Sequence, residues 1–131
     1  MKIIIGTPPN YKDIVKAFNP PSTAVFTFGD TIYTTDPENI ISDHLIVHEE
    51  THQKQQDYTP GAWWTLYITD PSFRLTQEVE AYHNQYEFYK TTHKDRNEQA
   101  IFLNKLASDL SGKVYGNIIS FWGAYERIKN G

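Results

Sequence analysis

The stretch from Asp43 to Gln56, DHLIVHEETHQKQQ, places histidines at positions 44, 48 and 52. Residues four apart on a helix share a face. His48 and His52 therefore aim two imidazoles at one point, as zinc requires when it draws two ligands from one helical turn. Glu49 completes the pattern His-Glu-x-x-His. It sits at the edge of the same point, where a base for metal-activated water belongs. The plainer reading is a solvated face, with Gln53, Lys54 and Gln55 as ordinary surface residues. Against it, Ile41 and Leu45 share the stripe of His48, His52 and Gln56, so the two histidines are expected to face inward. His44 extends the row by one turn. It has no glutamate beside it, and is expected to lie at the surface of the helix start or to support a ligand rather than to be one.

A third ligand is sought downstream in RLTQEVEAYHNQY, residues 74–86. Glu78 and Glu80 cannot both reach one metal, because residues two apart on a helix diverge by about 200°. Glu78 shares its face with Ala81, Tyr82 and Gln85, and the small Ala81 permits close approach of the two helices. Glu78 is therefore assigned to the metal, with Glu80 as the alternative. Tyr82 is a candidate hydrogen-bond partner for a ligand histidine. Two histidines and one glutamate leave a fourth zinc position open, which is the pattern of a catalytic rather than a structural site.

These residues resemble the gluzincin metallopeptidases, the thermolysin-like clan. The likeness lies in HEETH at 48–52 followed by EVEAY at 78–82, and covers about residues 22–90. Glu78 and Ala81 match the clan's second motif; Tyr82 stands where the clan often has an aspartate. The small size is similar to minimal gluzincins and to small metallopeptidase-like proteins of phages and bacteria. The resemblance implies a zincin-like fold, one Zn2+ per chain and a peptide or protein substrate. It also implies that TAVFTFGDTIYTT holds an edge strand, so that Ala24, Val25 and Phe26 lie along the substrate backbone. Clan members stabilise the oxyanion with a Tyr or His beyond the third ligand. Tyr115 is the nominee here, with His83 and His93 as competitors.

These side chains need a frame. The chain has 131 residues, 15% of them aromatic and 21% charged, which suits one compact domain over 1–131 with a ring-filled core. A net charge of −4 offers no basic footprint for nucleic acid. The absence of cysteine confines any transition-metal site to His and carboxylate ligands. The opening MKIIIGTPPN is too short in apolar residues for a signal peptide, and no run reaches membrane-spanning length, so a cytoplasmic location is the default expectation.

The pattern predicts a strand over 2–5 and a helix over 11–18 behind Asn10. A hairpin is expected about Gly29-Asp30, and the histidine helix from about 40 to 57 with Ser42 as cap. AWWTLYIT reads as a short helix or a turn. Asp70-Pro71 opens a helix to about residue 90. A helix over about 95–110 is expected to bury Ala100, Ile101, Leu103, Leu106, Ala107 and Leu110, and a last helix is capped by Ser120. The expected fold is α+β: a short, mostly antiparallel sheet of about three strands on an active-site helix, a glutamate helix and C-terminal helices. Two functions compete. One is a zinc endopeptidase with Glu49 as general base. The other is a catalytically idle zinc-binding module, such as a virion- or toxin-associated part; an intact Glu49 favours the first.

Overall fold

The computed structural model describes residues 1–131. The chain forms a small α+β domain with three strands and six helices. In order these are β1 (Lys2–Ile5), α1 (Tyr11–Phe18), β2 (Val25–Phe28), β3 (Thr31–Thr34), α2 (Asp43–Gln56), α3 (Pro60–Thr69), α4 (Pro71–Thr92), α5 (Arg96–Leu110) and α6 (Phe121–Asn130), with a single 3-10 turn, Lys113–Tyr115, between the last two. Helix starts follow local chemistry. The Asp70 carboxylate accepts from the backbone of Ser72 and Phe73 ahead of Pro71, and Ser120 Oγ accepts from Gly123 N. Asn10 occupies the cap position of α1 but makes no side-chain cap bond. Ser42 likewise leaves the α2 backbone uncapped, because its hydroxyl pairs with His44 Nδ1.

The sheet runs β1-β3-β2. β2 and β3 are the expected antiparallel hairpin, with Gly29 at φ 62° in the turn. β1 pairs parallel to β3, which corrects the expectation of a mostly antiparallel sheet. The reason lies in the route through α1: the chain leaves the end of β1, passes through α1 to the far edge of the sheet and runs down β2 against the direction of β1, so the hairpin returns β3 between them, parallel to β1. β2 is left at an edge.

The apolar interior falls into two clusters. Val79, Tyr82, Tyr86, Phe102, Leu103, Leu106, Leu110 and Ile128 join α4, α5 and α6. Ile14, Phe26, Trp63, Trp64 and Tyr67 join α1, β2 and α3. The eight-residue apolar run left open between helix and turn is thus part of α3, and both of its tryptophans are buried. In α5 the buried stripe is corrected. Ala100 and Ile101 are exposed, and Phe102 is buried instead, stacked on Tyr89 at 3.8 Å. No helix is long and apolar enough to cross a membrane.

Candidate metal centre and cleft

α2 brings His48 and His52 to its buried face, 5% exposed each, and α4 crosses it with the fully buried Ala81 and with Glu78 at 3% exposure. His48 Nε2 and His52 Nε2 are 3.2 Å apart, and each lies 3.1 Å from Glu78 Oε1. This near-equilateral triangle fits one face of a tetrahedron: ligands at about 2.0 Å from a tetrahedral ion are about 3.3 Å from one another. His48, His52 and Glu78 are therefore a buried group that could hold a metal ion. Glu80 is exposed and takes a hydrogen bond from Gln55, so it is not one of the three.

Burying the group perturbs its members. Burial lowers the His52 pKa, but the Glu78 charge and hydrogen bond outweigh it and push it up to about 9. Burial raises the Glu78 pKa, but the charge on His52 and the two imidazole Nε2 atoms 3.1 Å from Oε1 override it and hold Glu78 well below the usual carboxylate range. Glu49 is 4% exposed, and its Oε2 lies 4.0 Å from His48 Nε2. Burial raises its pKa. A carboxyl so placed is beside the triangle without belonging to it.

Each ligand-type atom is oriented from behind. His48 Nδ1 donates to Gln85 Oε1 at 2.9 Å, and His52 Nδ1 donates to Gln55 Oε1 at 2.8 Å. Both bonds turn Nε2 towards the centre, so that each ring in its neutral form presents a lone pair there, His52 first giving up the proton it shares with Glu78. Tyr67 donates its hydroxyl to Glu78 Oε2. The expectation for Tyr82 is corrected: its ring lies edge-on to His48 at 4.5 Å, and its hydroxyl reaches past the imidazole to Tyr115, at 2.7 Å. Gln85, one turn on, fills the partner's role. Gln55, Gln85 and Tyr67 were not singled out as imidazole or carboxylate partners. Gln85 could have been, since it shares the Glu78 face; Gln55 follows His52 by three residues, a helical neighbour.

The centre opens on a cleft of about 550 Å³ lined from both apolar clusters and by Ala24, Val25, Phe26 and Thr27. The outer edge of β2 forms part of its wall. Gly6 N donates to Thr34 O, so the Thr34 backbone faces β1 and the opposed Val25 turns its N–H and C=O away from β3. Further along, the Thr27 carbonyl accepts from Gln56 Nε2 and Trp64 Nε1, and Gln56 Oε1 accepts from Gly29 N. The Phe26 side chain packs into the second cluster, edge-on to Tyr11 at 5.9 Å.

Tyr115 also lines the cleft. Its turn is held by Arg74, a buried cation whose guanidinium donates to the carbonyls of Tyr67, Ile68 and Tyr115. Burial raises the pKa values of Tyr67, Tyr82 and Tyr115 well above the ordinary range, so all three are hydroxyl donors near neutral pH. His83 bonds the Ile128 carbonyl and His93 stacks on Tyr89, and neither lines the cleft. No protein-family model, curated protein or solved structure matches the chain.

Proposed function

We propose that this chain is a zinc-dependent endopeptidase with a reduced zincin-like architecture. The observation that carries the reading is the buried Glu49 carboxyl placed against a His-His-Glu triangle that it does not join. A closed structural site has no use for such a group; a hydrolytic one does. Zinc is favoured by two neutral imidazoles, one carboxylate and no sulfur. Held by His48, His52 and Glu78, it supplies Lewis acidity that makes water nucleophilic near neutral pH and polarises a peptide carbonyl.

The protein's own groups supply the rest. Glu49 accepts the proton from water and returns it to the leaving amine, a task for which a burial-raised pKa is suited. Tyr115, a protonated donor at the cleft wall, stabilises the charge that develops on the carbonyl oxygen. Val25 offers its unpaired N–H and C=O to an extended substrate main chain, and Ala24 and Phe26 flank that contact. The test is cleavage of a quenched peptide library by zinc-loaded protein, repeated after chelation and for Glu49→Gln. Chelator-sensitive cleavage lost in Glu49→Gln supports the reading. Stoichiometric zinc without turnover of any peptide would leave the idle metal-binding module in its place.

A further inference from the structure

The two ligand-type histidines are held by the same device, and its two copies differ in one part. His52 donates to Gln55 Oε1, and the Gln55 amide nitrogen donates to the Gln77 carbonyl at 3.0 Å and to Glu80 Oε1 at 2.9 Å. A backbone carbonyl can only accept, so the Gln55 amide has one orientation. His48 donates to Gln85 Oε1, and the Gln85 amide nitrogen points at His44 Nδ1, 2.9 Å away. An imidazole nitrogen accepts in one tautomer and donates in the other. We propose that His44 is a positioning residue for metal binding: by presenting a lone pair at Nδ1 to the Gln85 amide, it keeps His48 in the tautomer whose Nε2 can ligate.

The alternative state is specific. With no acceptor at position 44, the Gln85 amide can turn over and donate to His48 Nδ1. His48 then carries its proton on Nε2, where Glu78 Oε1 accepts it across the existing 3.1 Å separation. That arrangement satisfies both ring nitrogens of His48 and blocks the metal. His44 is suited to prevent it. Its ring is seated against Phe102 at 4.8 Å and Tyr89 at 5.8 Å, and Ser42 Oγ lies 3.3 Å from Nδ1, placed to donate to the same lone pair. Burial, then the charge of Lys105, hold its pKa below the ordinary histidine value, which favours the neutral ring that an accepting Nδ1 requires.

The inference rests on the triangle being a metal site, and the test separates the two. His44→Phe keeps an aromatic ring on Phe102 and Tyr89 but removes the acceptor. Zinc affinity, by competition with a chromogenic chelator, is expected to fall about three- to tenfold, less than the 10–100-fold of a direct partner. The melting temperature of the metal-free protein reports any general damage. Gln85→Glu accepts with either oxygen and has no amide to turn, so in that background His44→Phe is expected to change zinc affinity less than about twofold. Nitrogen-15 spectra of the metal-free protein are expected to place the His48 proton on Nδ1 in the parent and to show Nε2–H in His44→Phe. Equal zinc affinity and an unchanged His48 tautomer in His44→Phe overturn this role alone. A loss that persists undiminished in the Gln85→Glu background also overturns it. A parent protein that binds no zinc overturns both this and the metal reading.

Discussion

Tyr67 places its hydroxyl on the carboxylate oxygen of Glu78 that faces away from His48 and His52. One oxygen is thereby tied to α3 and the other left for the centre. Tyr67→Phe keeps the ring stacked on Trp63, at 4.9 Å, and removes only the donor. Zinc affinity is expected to fall about tenfold, the usual cost of losing a direct partner of a ligand. Chelator competition measures it; an affinity equal to the parent's shows that the bond does not orient Glu78.

Glu49→Gln tests chemistry apart from binding. The carboxamide has the same shape and is no weaker a neighbour for the triangle, so one zinc per chain is expected to remain. Peptide hydrolysis is expected to drop by roughly 10²–10⁴, the span of a lost general base. His52→Ala, by contrast, removes a corner of the triangle and is expected to abolish stoichiometric zinc by elemental analysis.

The metal-free protein should lose stability on the alkaline side. His52 has an ordinary value of 6.5 and is raised to about 9 when folded, so its contribution is complete below 6.5 and fades as pH rises through about 9. Glu49, whose folded pKa burial raises above 4.5, slopes the same way. Glu78 is depressed, so its contribution holds above 4.5 and is lost only in strong acid. Thermal melts in chelator are expected to fall between pH 6.5 and 9. Zinc needs the unprotonated imidazole, so the stabilisation it adds grows over the same interval. A metal-free melting temperature that is level from 6.5 to 9 contradicts the His52–Glu78 ion pair.

Val25 and Phe26 are neighbours with opposite expectations. Phe26 is 7% exposed among Ile14, Trp63 and Trp64, and Phe26→Ala should cost about 3–5 kcal/mol in a denaturant melt. Val25 turns its backbone to the cleft. Val25→Pro deletes an N–H that β3 does not use, which edge strands tolerate. Its stability should stay near the parent's while kcat/KM for peptides drops about fivefold, the worth of one hydrogen bond. Unchanged peptide kinetics in a folded Val25→Pro protein remove β2 from the substrate path.

How much of this was legible depended on the range of each interaction. The His48–His52 pairing, the choice of Glu78 over Glu80, and the caps at Asp70 and Ser120 are decided within two helical turns, and the structure brings them together as the pattern required. The partners of the ligand-type histidines are less visible: Gln85 reaches His48 across 37 positions of chain, and an amide carries no distinctive signature in a sequence. The α5 stripe went astray at one step. Ile101 and Phe102 are adjacent and both apolar, and only the rings of Tyr89 and His44, supplied by other helices, decide that Phe102 turns inward. The parallel β1–β3 pairing depends on where α1 sends the chain, which no local pattern records.

Gln56 has a consequence for any chain that pairs with β2. Its amide donates to the Thr27 carbonyl and accepts from Gly29 N, occupying the places an added strand would take. The side chain is in effect a stub of strand grown from α2, the helix that carries both histidines. An arriving backbone meets one open residue, Val25, and then a closed door. Slippage by two residues towards Phe28 would require breaking the bonds of both Gln56 and Trp64 to Thr27, so a bound chain is confined to a single frame relative to His48 and His52. The same plug leaves too short a ledge for copies of the protein to join through β2, which keeps a half-open edge from becoming a seed for aggregation.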